Sequence, residues 1–134
     1  MKGLLSFVRS LVGVVGGYAL MGLLITMVQE WWFGGVSYRK SATLVLIAAG
    51  FLTFLCAVAG GWLAGWIAGR HPVRHGLVMS AMVAAETTWL ITSGRTTDPV
   101  WFDTMAAGSL VVGLLLGSSL AACCAPSMRR LSRA

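Results

Sequence analysis

The chain has 134 residues, of which 57% are hydrophobic and only 10% charged, with a mean hydropathy of +0.84. A soluble domain carries about a quarter charged residues, so these totals exclude a soluble fold with a polar shell and indicate a single all-α transmembrane domain over residues 1–134. Ten Lys and Arg against four Asp and Glu give a net charge of +6; these cations flank apolar runs instead of forming a face, which points to anionic lipid head groups and excludes nucleic acid as a partner.

A helix needs about 20 apolar residues to cross the hydrocarbon layer, and four segments approach that length. The first covers 11–28. It is longer than the core of a secretory signal and no small-x-small cleavage site follows, so it reads as a retained span. Next come "QEWWFGGVSYRK", with Gly34 and Gly35 as the turn, and a second span over 43–68. The connection "GRHPVRHG" leads to the third span, 77–92, the shortest, which contains Glu86. The connection "SGRTTDPVWFD" opens the fourth, 99–125, with Asp98 as an expected N-cap ahead of Pro99. The connections are too short for a soluble domain. Trp31, Trp32, Phe33, Tyr38, Trp101 and Phe102 fall at one membrane surface, as an aromatic belt does.

Lys and Arg counts orient this four-helix bundle. Lys2, Arg9, Arg70, Arg74, Arg129, Arg130 and Arg133 lie on one side, and Arg39, Lys40 and Arg95 on the other. The positive-inside rule therefore places both termini in the cytoplasm, with Arg70, Arg74, Arg129 and Arg130 meeting lipid head groups. The bias argues against dual topology.

Small residues recur at helical spacing in every span. Ala57, Gly61, Ala64, Gly65, Ala68 and Gly69 mark the second, and Ser109, Gly113, Gly117 and Ala121 the fourth; Gly13 and Gly17 mark the first, and Ala81, Ala85 and Thr88 the third. Residues four apart share a helix face, and side chains this small let backbones approach, the usual source of helix association in lipid. A phosphate-cradling loop is excluded, because such a loop sits between a strand and a helix, whereas this run lies inside one apolar span.

Glu86 is the residue that packing does not explain. At about 100° per residue it points about 140° away from Ala81, and an acid inside a span costs about 2.5–3.5 kcal/mol on insertion scales. Three readings follow: a structural hydrogen bond to a hydroxyl or Arg on another helix, a proton or cation site, or one end of a soft-metal stripe formed by His75, Met79, Met82 and Glu86. Arg9 is expected to reach the head groups instead of Glu86. Cys56, Cys123 and Cys124 form no metal motif and read as small buried hydrophobes. No nucleophile–base arrangement is present, so neither enzymatic activity nor a cofactor is expected.

The run "AGGWLAGWIAGRHPVRHGLVMS", Ala59 to Ser80, resembles a loose class of small bacterial four-helix membrane proteins. Their second helix similarly ends in a Gly/Ala-rich repeat, then a basic-Pro turn and a His opening the third. The resemblance implies a bacterial inner membrane and carries no chemistry with it. The small multidrug exporters hold their carboxylate in the first span, and the 11–28 segment has none; the fluoride-channel pattern is absent too. The expected role is a structural or assembly subunit working through helix contacts with a second copy or a larger membrane complex. The alternative is a small transporter or channel using Glu86.

Overall fold

The structure, a computed structural model, describes residues 2–69 and 71–131, with side chains described for residue 4, 7–69 and 71–124. Four helices follow one another: α1 (Lys2–Thr26), α2 (Thr43–Ala68), α3 (Pro72–Thr92) and α4 (Val100–Leu131). The described residues contain no strand. α1 continues through Met27–Trp32 as a wider π-helical stretch, and the Gly35 N–H closes it onto the Gln29 carbonyl at 2.8 Å. Among the described residues, three stretches are long and apolar enough to cross a membrane: Phe7–Trp32, Thr43–Ala68 and Val100–Cys124. α3 is not among them, because Arg74, His75, Ser80, Glu86, Thr87 and Thr88 interrupt its 21 residues.

The element bounds differ from the sequence expectation at starts and ends alike, the fourth helix running on to Leu131 instead of 125. The first helix runs from Lys2 through Trp32 instead of 11–28, and the third begins at Pro72 instead of 77. Hydropathy marks only the apolar part of a helix, whereas backbone hydrogen bonding carries it into polar flanks. Pro72 occupies the first helical positions of α3, where its missing N–H leaves nothing unsatisfied. At α4, Pro99 supplies the first accepting carbonyl, to Phe102 N–H at 2.9 Å. Asp98 turns away, and its Oδ1 accepts from Ser37 Oγ at 2.9 Å, which ties the α1–α2 loop to the start of α4.

α2 is the central helix, and its two neighbouring glycines serve different partners. Gly60 faces α1: a methyl there would stand 2.8 Å from the Gly17 carbonyl and from Met21 Cβ. Gly61 faces α4: a methyl there would stand 3.0 Å from Leu114 Cα. One residue further round a helix is a turn of about 100°, so adjacent glycines open adjacent faces. α3 packs on α4 through Gly76, where a methyl would meet Ser118 Cβ at 2.8 Å. Met21, Ala57, Ala64, Met79, Val83 and Leu114 form the core where all four helices meet.

Candidate functional site

The small-residue positions divide between the interior and other places. Gly13 lies against Ala64 and Ala68, and Gly17 against Gly60 and Ala64; Gly113 meets Ala57 and Phe54, a methyl on Gly117 would stand 2.8 Å from Trp62 N, and Gly65 meets Ala121. Ser109 is half-buried and bonds its own helix, donating to the Ala106 carbonyl at 2.7 Å. Ala81 and Ala85 are exposed, because α3 turns Gly76, Met79, Ser80 and Val83 inward instead. Gly69 does not belong to the packing strip. It ends α2 in the left-handed conformation at φ 64°, its N–H bonded to the Gly65 carbonyl at 3.1 Å, the geometry that glycine accepts without steric cost.

Arg9 does something the sequence did not signal. Its Nε donates to the Ile67 carbonyl, and its guanidinium lies over Gly69, with one terminal nitrogen 3.0 Å from where a Cβ would sit. The last carbonyls of a helix have no intrahelical donor and carry partial negative charge. A cation from α1 thus closes the C-terminus of α2. The i+58 separation of Arg9 and Ile67 leaves no local motif to find.

Glu86 reaches α1. Tyr18 Oη donates to Glu86 Oε2, joining α1 to α3 beside the core, where Tyr18 is half-buried and Glu86 otherwise exposed. The signal for Tyr18 was present in outline, a hydroxyl inside the first apolar run, but its helix face could not be assigned from the sequence. The four residues of the soft-metal stripe diverge. Met79 is fully buried in the core and Met82 is 41% exposed; His75 places Nδ1 3.1 Å from the His71 carbonyl, and Glu86 is taken by Tyr18. Among the described residues no three His, Cys, Asp or Glu side chains gather. Of the four only Met79 is buried; His75 is half-buried, and Met82 and Glu86 are both exposed.

The cysteines also divide. Cys56 is buried, whereas Cys123 and Cys124 are exposed. The expectation of three buried cysteines fails at these two because α4 has no buried position among its described residues after Ala121. Arg74 is exposed in the first turn of α3. Arg70 and the side chains of Arg129 and Arg130 lie outside the described residues.

A second cluster sits at the opposite end of the bundle from the Arg9 contact. A cavity of about 550 Å³ opens between the π-helical end of α1, the first half of α2 and the first turns of α4. Tyr38 packs edge-on against Trp101, ring centres 5.1 Å apart, and lies 5.4 Å from Phe102. Asp103, in the first turn of α4, lines the cavity with Asp98 and Gln29. Asp103 Oδ2 is buried without a hydrogen-bond partner. In the sequence Asp103 stands at the end of a connection; only the tertiary arrangement places it at the cavity wall. Comparison with models of known protein families, with characterised proteins and with solved structures finds no match to this chain.

Proposed function

We propose that this chain is a structural or accessory subunit of a bacterial inner membrane, crossing it four times with both ends in the cytoplasm and acting through lateral contact with another membrane helix. The observation that carries the reading is Glu86, held by Tyr18 at the rim of α3 and otherwise exposed. The first half of α3 buries Gly76, Met79, Ser80 and Val83 against its own chain, but no residue from 84 to 92 is buried. As a fourth crossing, that half would present Glu86 and Thr88 to hydrocarbon. Intramembrane carboxylates face a bundle interior or a polar cavity because lipid offers them no partners. A neighbouring helix laid along the second half of α3 supplies that cover, and the small side chains of Ala81 and Ala85 let it come close.

A second reading, a small transporter or channel with Glu86 as its proton or cation site, draws on the same exposed carboxylate. No enzymatic activity enters either reading.

The deciding experiment is extraction of the chain directly into native lipid discs, followed by mass analysis. A stoichiometric complex, with a second copy or with a different membrane protein, is the expected result. A lone chain with empty lipid around α3 overturns the subunit reading and moves the weight to transport.

A further inference from the structure

We infer that the cavity between α1, α2 and α4 is a binding site for a hydrophobic organic cation. Its size, about 550 Å³, lies within the range of sites that enclose small organic molecules. The walls are mostly aliphatic, with the rings of Tyr38, Trp101 and Phe102 along one side. Two carboxylates, Asp98 and Asp103, line it, and no Lys, Arg or His is among the lining residues. Arg39 and Lys40 follow Tyr38 in the chain but are exposed.

The two carboxylates play different parts. Asp98 is engaged by Ser37 and braces the loop over the cavity. Asp103 has Oδ2 buried with no donor, and a buried polar atom without a partner is costly. No lining residue supplies a counter-charge to this carboxylate, so a cation seated in the cavity balances it, and the low dielectric of an apolar wall strengthens the attraction. Aromatic rings at the wall favour the same charge, since a ring quadrupole attracts a cation that settles over a face. The apolar walls then require that the charge be carried on a hydrocarbon body, which excludes small hydrated ions and anions. Trp31 and Trp32, 81% and 74% exposed, belong to the same end of the bundle. Exposed tryptophans mark the head-group boundary, the layer where amphipathic cations concentrate. This site is independent of what covers α3.

The test uses the full chain in lipid discs, titrated with tetraphenylphosphonium and, separately, with tetraphenylborate, an anion of the same shape; empty discs supply the baseline for partition into lipid. Saturable binding of one phosphonium per chain is expected, with no saturable borate binding. Asp103→Asn should weaken phosphonium binding by about tenfold or more, the loss of one charge contact. Gly50→Leu adds a side chain at the cavity wall, where a Cβ meets nothing within 4 Å. It leaves both carboxylates in place, so it decides the matter if Asp103→Asn fails to fold, with helical circular dichroism as the check. Gly50→Leu should also weaken phosphonium binding. Phosphonium uptake no greater than that of empty discs, borate binding with the same saturation, or folded variants that bind as the wild type does would each overturn the site.

Discussion

Gly17 on α1 and Gly60 on α2 meet backbone to backbone: a methyl on Gly17 would stand 2.7 Å from the Gly60 carbonyl oxygen, and one on Gly60 would stand 2.8 Å from the Gly17 carbonyl oxygen. The reciprocity means that neither position can gain a carbon without moving a helix axis. In lipid, where apolar tails compete equally for apolar surface, such close backbone approach is what holds helices together.

Gly17→Ala should therefore destabilise the fold by about 1–3 kcal/mol, the usual effect of overpacking. Gly22→Ala, on the same helix, adds a methyl that meets nothing within 4 Å and should be neutral or slightly stabilising. Thermal unfolding in a fixed detergent compares them. Equal midpoints for the two variants would contradict the close α1–α2 contact.

The Tyr18–Glu86 bond should be measurable as a coupling. Interhelical side-chain hydrogen bonds in membranes average about 0.6 kcal/mol and reach about 1.7 kcal/mol. Tyr18→Phe should lose an amount in that range. Glu86→Gln should lose less, because the amide oxygen accepts the same O–H. In a double-mutant cycle with Glu86→Leu, additive effects would mean that the two side chains do not interact. The Gln variant also separates the two functional readings: a subunit keeps its role, whereas a transporter stays folded and loses coupled flux.

Arg9→Met keeps the aliphatic stem and removes the donor to Ile67. Loss of a cation at a helix C-terminus is worth about 0.3–1 kcal/mol, so the unfolding midpoint should fall modestly. Arg9→Lys should recover part of it by restoring the charge without the guanidinium geometry. Hydrogen exchange supplies a local readout, with faster exchange confined to the last turn of α2.

The proposed fourth crossing, by α3, makes a direct topological prediction. Val73 is exposed near the start of α3, and Thr97 is exposed just past its end. Single cysteines at these positions, in a chain with its three native cysteines replaced, should react differently in intact cells. A membrane-impermeant maleimide is expected to label Thr97→Cys from outside and Val73→Cys only after permeabilisation. Labelling of both from the same side would mean that α3 does not cross.

The all-helical class, the number of helices, the apolar stretches long enough to cross a membrane and the close glycine contacts were legible in the sequence, because each rests on composition and spacing along one continuous run. Even the turn at Gly69 could be anticipated as a break, although its left-handed cap was read as packing. Which face met which helix was not legible. α2 is apolar on every side, so no polar face sets its rotation, and only packing against both neighbours assigned Gly60 to α1 and Gly61 to α4. The same rotation decided that Ala81 and Ala85 face outward while Met79 and Val83 fill the core. Tyr18 meets Glu86 across 68 residues and Arg9 meets Ile67 across 58. Hydropathy and spacing mark where helices run, but the partners of side chains so far apart depend on how the helices turn about their own axes. That information exists only once the bundle has closed, and it is what turned Asp103 from a loop-end residue into the wall of a cavity.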